Sequence, residues 1–292
     1  MNKILSNKLF EAEISSTGAE LVSFKKLEDS CEYIWNGDKT FWASHSPVLF
    51  PIVCALKNGE MKVDGTVYQM GNHGFARKSE FELVQETDTK AVFKLSFNKD
   101  TLTMYPFKFN FYITYALTDN TLLVEYTVEN IDDKTIYFQV GTHPAFNCPL
   151  DNKTKFEDYF IEFESAENLQ RLYMNSTNVI ITGRSQKMEL ENNSILHLNH
   201  ELFNEGALVF KKIHSNKVTL KSNKTSKKVV LSYEDLPAMG IWQAKNAPFI
   251  CIEPWHGIAD TDDFDDELKE KELIIHLNKA ASYSCHYTIE IY

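Results

Sequence analysis

The stretch FKFNFYITYALTDNTLLVEYTVE, residues 107–129, decides the fold class because apolar and polar side chains alternate along both of its halves. Side chains of a β-strand point alternately to opposite faces of a sheet, so each half predicts a strand with one buried face. Asp119-Asn120 separates the halves and predicts a tight hairpin turn. The same alternation returns at residues 283–291 near the C-terminus.

The rest of the chain supports a fold made of strands. Asp64-Gly65 lies between two short runs of alternating residues, and Asp-Gly suits the positive φ angles of a type I′ hairpin. A helical period of 3.6 residues is rare, and residues 262–273 would hold a short helix at most. Neither a Pro/Gly/Ser-rich linker nor an internal repeat is visible. We therefore predict an all-β protein, one large antiparallel sandwich domain over residues 1–292.

Composition narrows the possible partners and the cellular location. Of the 292 residues, 43% are hydrophobic and 13% aromatic, which excludes intrinsic disorder. The net charge of −11 disfavours binding to nucleic acid or to anionic membranes. No apolar run approaches the ~20 residues of a membrane span, and the N-terminus turns polar too early for a signal peptide. The five cysteines include no C-x-x-C motif and predict reduced thiols in a cytoplasmic protein.

Four segments interrupt the alternation and concentrate the residues that could carry chemistry: 46–51, 72–77, 141–147 and 251–257. Each places a titratable or aromatic residue beside Gly or Pro, which shapes the backbone at a strand end and directs the side chain into a cleft. Glu253 is the most informative of these residues. Its apolar neighbours predict a partly desolvated carboxylate, and such a group needs a partner or a function.

Taken singly, these residues also have simpler explanations. A lone His before Gly or Pro is more often a turn residue than a catalyst. Arg77 lies close in sequence to Glu80 and Glu82, with which it could form a surface ion pair. Together, however, two histidines, one glutamate and one arginine form a general acid–base set suited to a neutral polyol.

The motifs Leu49-Phe50-Pro51, His73-Gly74-Phe75-Ala76-Arg77, Thr142-His143-Pro144-Ala145-Phe146 and Glu253-Pro254-Trp255 resemble those of the aldose 1-epimerase (mutarotase) family. More narrowly, the chain is similar to the bacterial galactose-mutarotase-related branch, from about residue 8 to residue 290. The resemblance implies a large antiparallel β-supersandwich and a reaction that needs no cofactor and no metal. One departure is that relatives tend to carry Gly-Arg where this chain has Cys54-Ala55.

The resemblance also implies roles for individual residues. Glu253 would be the catalytic base, His143 the acid that protonates the ring oxygen, and His73 a hydrogen-bonding helper. An unperturbed Glu (pKa ~4.3) is ionised at neutral pH and an unperturbed His (~6.5) can deliver a proton, which suits this division. The implied substrate-binding residues are Arg77, whose forked donors would hold sugar hydroxyls, and Phe75, Phe146 and Trp255, which would offer apolar faces to the sugar.

The function expected from this resemblance is interconversion of the α and β anomers of a free hexose such as galactose or glucose. A first alternative is a hexose-6-phosphate 1-epimerase, although the three arginines of the chain, Arg77, Arg171 and Arg184, leave little for bidentate phosphate binding. A second is a non-catalytic carbohydrate-binding sandwich protein. The presence of both histidines and Glu253 argues against that alternative, because a lectin needs no matched acid and base.

Two other clusters carry no predicted function. His197 and His200 have the spacing of a metal-binding pair, but no third ligand is suitably placed in sequence to complete a zinc site. Residues 260–267 contain six acids in eight positions without the calcium-loop pattern, which predicts a solvated turn.

Overall fold

The computed structural model describes residues 2–292 and consists almost entirely of antiparallel strands. These are β1 (Asn2–Ser6), β2 (Phe10–Ser15), β3 (Leu21–Lys26), β4 (Cys31–Glu32), β5 (Val48–Leu49), β6 (Glu60–Val63), β7 (Thr66–Gln69), β8 (Glu82–Glu86), β9 (Lys90–Ser96), β10 (Phe109–Thr118), β11 (Thr121–Asn130), β12 (Ile136–Phe138), β13 (Val140–Thr142), β14 (Ala145–Asn147), β15 (Tyr159–Phe163), β16 (Gln170–Met174), β17 (Ile180–Lys187), β18 (Ile195–His197), β19 (Leu208–Phe210), β20 (Lys217–Ser222), β21 (Lys228–Glu234), β22 (Ala238–Trp242), β23 (Phe249–His256), β24 (Ile275–Leu277) and β25 (Ser282–Ile291).

The larger of the two main sheets contains the predicted hairpin. It has nine strands in the order β18-β15-β20-β21-β25-β11-β10-β9-β8. Thr118 pairs with Thr121 across the Asp119-Asn120 turn, which confirms the prediction for this stretch. Buried and partly exposed residues alternate along β10, β11 and β25, so one face of the sheet forms the core.

The second main sheet carries the candidate site. Its strands follow the order β17-β16-β19-β22-β23-β13-β5, and β14 also pairs with β23. Ile250 and Ile252 of β23 belong to the same core cluster as Phe111 of the nine-stranded sheet, so the two sheets pack face to face. This arrangement confirms the predicted β-supersandwich. Alternate residues of β23, among them Glu253, point to the opposite face of the sheet.

The remaining strands form smaller sheets at the periphery of this arrangement. β1 to β4 make a four-stranded sheet in sequential order, and β12 pairs with β24. β6 and β7 form the predicted hairpin. Asp64 and Gly65 at its turn have φ angles of 50° and 77°, as a type I′ turn requires.

Helices are short. The single α-helix of the described chain, α1 (Lys99–Met104), begins where the Asn98 side chain accepts hydrogen bonds from the backbone of Asp100 and Thr101. Residues 262–273 contain only a 3₁₀ turn. Between residues 2 and 292, no helix has the length and apolar character needed to span a bilayer. The 3₁₀ turns are Lys57–Gly59, Ala76–Lys78, Phe156–Asp158, His200–Phe203 and Leu268–Glu270.

Candidate active site

Glu253 lies on β23, on the face turned away from the main core, and is only 2% exposed. Its partner on β22 is Gly240. A Cβ atom at Gly240 would lie 2.3 Å from the Trp255 ring, and one at Gly141 would lie 2.6 Å from the same ring. The two glycines therefore leave room for the indole, which donates a hydrogen bond from Nε1 to the Thr142 carbonyl. Trp255 thus fixes the position of the strand that carries Glu253.

His143 follows β13 directly, and its imidazole contacts Glu253. The distance from His143 Nε2 to Glu253 Oε2 is 3.3 Å. Trp42 stacks on the imidazole with ring centroids 5.0 Å apart, and Trp242 packs against it edge-on at 5.8 Å. These aromatic contacts hold the ring with Nε2 near the carboxylate.

His73 has a left-handed backbone conformation, with φ at 64°. Gly74 follows it, and a Cβ there would lie 2.2 Å from the Phe50 carbonyl oxygen, so only glycine fits. The Cys54 backbone N–H donates to His73 Nδ1 at 3.1 Å. Because Nδ1 accepts this hydrogen bond, the proton of the neutral imidazole is on Nε2, which makes Nε2 a donor. The His73 and His143 rings lie edge-to-face with centroids 5.6 Å apart.

Burial changes the proton affinities of all three groups. Loss of hydration raises the pKa of the Glu253 carboxyl well above its ordinary value. The same desolvation lowers the pKa of His143 to about 3 and that of His73 well below its ordinary value. The pKa of Glu253 therefore lies above that of His143, which is the reverse of the order in unperturbed side chains. Both shifts favour the neutral forms of the two side chains.

A cavity of about 220 Å³ opens beside this pair. Arg77 lines it, and within residues 2–292 the guanidinium has no ion-pair partner and its buried Nε has no hydrogen bond. Asn72 Oδ1 is likewise buried without a partner in that part of the chain. Burial lowers the pKa of Arg77, and the nearby Glu20 opposes this shift. The lining residues are Trp42, Cys54, Asn72, His73, Arg77, His143, Met174, Asn178 and Trp242.

The structure brings four of the predicted residues to one place. His73, His143 and Arg77 line the cavity, and Glu253 lies directly behind His143. The surface ion pair considered for Arg77 is not formed within residues 2–292, where Glu80 accepts a hydrogen bond from Thr17.

The three predicted apolar contacts do not reach the cavity. Phe75 packs against Phe50 and Phe109 in the main core, and Phe146 is fully buried in the same core cluster. Trp255 occupies the space above Gly240 and Gly141. The aromatic side chains that do line the cavity are Trp42 and Trp242, which the sequence motifs did not predict.

The prediction of a solvated turn at residues 260–267 holds for the exposed Asp262, Asp263, Asp265 and Asp266 but is wrong for Asp260. It is 3% exposed, and its Oδ1 lies 2.5 Å from Nζ of the equally buried Lys271. Its Oδ2 accepts from the Lys57 backbone, and its own backbone N–H donates to the Ala55 carbonyl. The Asp260–Lys271 pair therefore anchors the loop in which Cys54 orients His73.

His197 and His200, the other cluster without a predicted function, do not form a metal site in the described chain. His197 contacts Glu191, whereas His200 contacts Gln243 and stacks on Phe156, so the two histidines have separate partners.

A different triad offers donor atoms that could hold a metal. Those of His143, Cys251 and Glu253 lie within 4.8 Å of one another. The same lone pairs of His143 and Glu253 are the ones an acid–base reaction uses, so metal binding and that reaction exclude each other. Burial also raises the pKa of the Cys251 thiol well above its ordinary value, which disfavours the thiolate that metals bind.

Comparison with known proteins identifies the family. The aldose 1-epimerase family model matches residues 3–276. The chain belongs to the aldose 1-epimerase family. Protein LacX, chromosomal, of Lactococcus lactis is 30% identical over 282 residues, which cover 92% of each chain. Members of the aldose 1-epimerase family are isomerases, so the chain is an enzyme of this class.

Two solved structures of aldose 1-epimerase relatives superpose closely on the chain. A galactose mutarotase related enzyme from Lactobacillus acidophilus has a TM-score of 0.95 and 33% identity, covering 100% of this chain and 97% of that one. A galactose mutarotase-like protein from Lactobacillus casei has a TM-score of 0.94 and 32% identity, with full coverage of both chains. The fold inferred from strand alternation is therefore confirmed.

Proposed function

We propose that the protein interconverts the α and β anomers of a free hexose such as galactose or glucose by acid–base opening of the hemiacetal ring. The observation that carries this proposal is the contact between His143 Nε2 and Glu253 Oε2, 3.3 Å long, at a cavity sized for one sugar ring. The pair holds one proton between two groups that can each bind it. Ring opening requires one proton acceptor and one proton donor.

In this mechanism the sugar enters with its anomeric hydroxyl directed past His143 towards Glu253. The single proton of the pair moves from Glu253 to His143, across the 3.3 Å contact. Glu253 then accepts the proton of the C1 hydroxyl while His143 donates its proton to the ring oxygen. The C1–O5 bond breaks and leaves an open-chain aldehyde. Rotation about C1–C2 and closure on the other face of the aldehyde return each proton, so no co-reactant is consumed.

Four other residues position the sugar in this proposal. His73 donates from Nε2, because its Nδ1 accepts from the Cys54 backbone. Arg77 donates from a guanidinium whose buried Nε has no hydrogen-bond partner within residues 2–292. Trp42 and Trp242 exclude water from His143 and offer apolar faces to the C–H side of the ring.

The charges around the cavity support a neutral sugar over a sugar phosphate. Arg77 is its one lining cation, and Nζ of Lys57 lies 3.6 Å from Asp265, outside the set of lining residues. A phosphate dianion would have to be desolvated beside a single guanidinium in a chain of net charge −11. The matched pair of acid and base supports catalysis over mere carbohydrate binding.

Polarimetry tests the proposal directly. Freshly dissolved α-galactose, α-glucose and glucose 6-phosphate are mixed with the purified protein, and the rate of approach to rotational equilibrium is compared with the spontaneous rate. We expect acceleration for the free sugars. A kcat/KM for glucose 6-phosphate more than about tenfold above both free sugars, equivalent to ~1.4 kcal/mol, would favour the phosphate epimerase instead. No acceleration for any of the three would leave only a binding function.

A further inference from the structure

Glu20 directly precedes β3, and the proposed reaction does not use it. Its side chain is only 16% exposed. Its Oε1 accepts hydrogen bonds from the backbone N–H groups of His45, at 2.6 Å, and Ser46, at 2.9 Å. Residues 45 and 46 belong to the irregular segment that leads into β5. Because hydrogen bonds to a charged acceptor are strong, a carboxylate that accepts from two successive N–H groups fixes the backbone at that point.

The segment that Glu20 holds is the one that carries Trp42, whose ring stacks on His143. Only two residues separate Trp42 from His45. The His45 carbonyl in turn accepts a hydrogen bond of 2.9 Å from the backbone N–H of Ala145, which lies two residues after His143. The segment therefore reaches His143 in two ways, through the Trp42 ring and through the first residue of β14.

The turn before Glu20 also packs against the segment that carries Arg77. A Cβ atom at Gly18 would lie 2.8 Å from the Arg77 carbonyl oxygen, so only glycine fits there. The Gly18 N–H donates to the Ser79 carbonyl at 2.7 Å. The charge of Glu20 opposes the lowering of the Arg77 pKa by burial. Glu20 and its turn therefore connect the segment of Trp42 with the segment of Arg77, and both of these residues line the cavity.

We propose that Glu20 is a positioning residue of the active site, which keeps Trp42 stacked on His143 by fixing the backbone at residues 45 and 46. Where it concerns turnover, this inference rests on the proposed function. Glu20 does not line the cavity, so it acts through the ring that covers His143 rather than on the sugar. Proton transfer requires the imidazole within hydrogen-bond reach of the reacting atoms, and a small displacement of such a group lowers the rate steeply.

A second glutamate in the chain has the same local geometry and provides a matched control. Glu167 Oε1 accepts from the backbone N–H groups of His214, at 2.9 Å, and Ser215, at 2.7 Å. Glu20 and Glu167 therefore each hold a His-Ser dipeptide by two successive N–H groups. Glu167 also contacts the His214 imidazole, so its removal breaks at least as many contacts. Neither Glu167 nor its dipeptide lines the active-site cavity.

The first test compares Glu20→Ala with Glu167→Ala at a temperature where urea unfolding shows both variants to be folded. We expect Glu20→Ala to lower kcat/KM for the mutarotation of galactose by about tenfold or more. Glu167→Ala should stay within about twofold of wild type. Glu20→Gln should recover kcat/KM to within about threefold of wild type, because the amide oxygen can still accept both N–H groups. Equal losses in the two alanine variants, or a glutamine variant as slow as Glu20→Ala, would overturn the inference.

A double-variant cycle tests whether Glu20 acts through Trp42. Trp42→Ala removes the ring that Glu20 positions, so the further loss caused by Glu20→Ala should be smaller in that background. We expect the double variant to lose less than the product of the two single losses, by about threefold or more. Trp42→Ala combined with Glu167→Ala should lose the simple product, because independent sites act additively in free energy. Simple products in both double variants would overturn the inference.

A measurement without sugar keeps this inference separate from the proposed function. Trp42 and Trp242 lie edge-to-face with ring centroids 5.5 Å apart, and fixed packing of aromatic rings gives a near-ultraviolet circular dichroism signal. Trp42→Ala identifies the part of the spectrum that depends on Trp42. Glu20→Ala should lose that part, whereas Glu20→Gln and Glu167→Ala should keep it. Such a result would support the positioning role even if wild type anomerised no sugar, in which case the proposed function alone fails. An unchanged spectrum in Glu20→Ala would overturn the inference.

Discussion

Two buried carboxylates on the same stretch of chain, Glu253 and Asp260, have opposite surroundings. Asp260 has the ammonium group of Lys271 at 2.5 Å and a backbone donor from Lys57. Within residues 2–292 Glu253 has no Lys or Arg partner, and its contact is an imidazole whose pKa burial lowers to about 3. Both side chains are almost fully buried, so burial alone does not distinguish them.

The difference between them indicates which carboxylate is structural and which is chemical. A buried charge is tolerated when a counterion and hydrogen bonds replace its water, and Asp260 has both. Glu253 lacks this compensation, and burial instead raises its pKa well above the ordinary value. A carboxyl that gives up and takes back a proton near neutral pH is what acid–base catalysis needs. Glu253, the carboxyl without a Lys or Arg counterion in the described chain, is therefore the stronger candidate for the reaction.

The largest effect is expected from removing the titrating carboxyl. Glu253→Gln keeps the shape of the side chain but cannot accept the proton of the anomeric hydroxyl, so kcat/KM should fall by ~10²–10⁴-fold. The free energy of unfolding at neutral pH should not decrease, because an amide costs no charge desolvation. Polarimetry and urea unfolding measure the two quantities. Full activity in the variant would place the base elsewhere.

At Asp260, the carboxylate paired with Lys271, the expected effect is a loss of stability. Asp260→Asn leaves the buried Lys271 ammonium without its counterion, which should lower the free energy of unfolding by about 3–5 kcal/mol. The double variant Asp260→Leu with Lys271→Met removes both charges and should recover most of this loss. Urea denaturation at pH 7 checks both. If the single and double variants were equally unstable, the destabilisation would come from the lost backbone hydrogen bond at Lys57 instead.

Much of this molecule could be predicted from the sequence, because the strands carry their own pattern. The alternation at residues 107–129 predicts both strands and their turn, and the Gly- and Pro-containing segments contain His73, His143 and Glu253. The roles of Trp42 and Trp242 were not predictable in this way. They reach His143 from separate parts of the chain, and no local pattern specifies such long-range contacts.

The predicted residues that do not line the cavity have a related explanation. Phe75 and Trp255 are adjacent in sequence to site residues, but strand geometry and the space above Gly240 decide where their rings lie. Asp260 belongs to an acidic stretch that is otherwise typical of a solvated turn. Asp260 is buried because it contacts Lys271, which lies beyond that stretch in the sequence.

The pH dependence of activity is expected to distinguish Glu253 from Asp260 as well. The Glu253–His143 pair must hold one proton to react. Below its lower macroscopic pKa, which burial of His143 moves towards about 3, a second proton binds and the base is lost. Above its upper pKa, which burial of Glu253 raises, the last proton leaves and the acid is lost.

We therefore expect a bell-shaped profile of kcat/KM against pH. Its plateau should be wider than the range from pH ~4.3 to pH ~6.5 that unperturbed Glu and His would give. Beyond the plateau, kcat/KM should fall tenfold per pH unit. His143→Asn should remove the bell together with most of the activity. A narrow plateau confined between ~4.3 and ~6.5 would contradict the effect of burial on the pair. Asp260→Asn, measured at a temperature where it stays folded, should retain the wild-type limbs.

The smallest effect concerns stability as a function of pH. The pKa of Glu253 is raised in the folded state. The folded chain therefore keeps a proton that the unfolded chain releases above the ordinary pKa of Glu. As a result, stability falls as pH rises towards the folded-state pKa of Glu253. His143, whose folded pKa is lowered, acts in the opposite direction, but only up to ~6.5, above which it is neutral in both states. Above the ordinary Glu pKa of ~4.3 and below the raised pKa of Glu253, wild type should lose up to ~1.4 kcal/mol per pH unit relative to Glu253→Gln, in which this titration is absent. Urea midpoints of the two proteins at half-unit steps of pH measure this difference, and other titrating groups cancel because both proteins contain them. Parallel curves over this range would mean that Glu253 ionises in the folded protein as readily as in water.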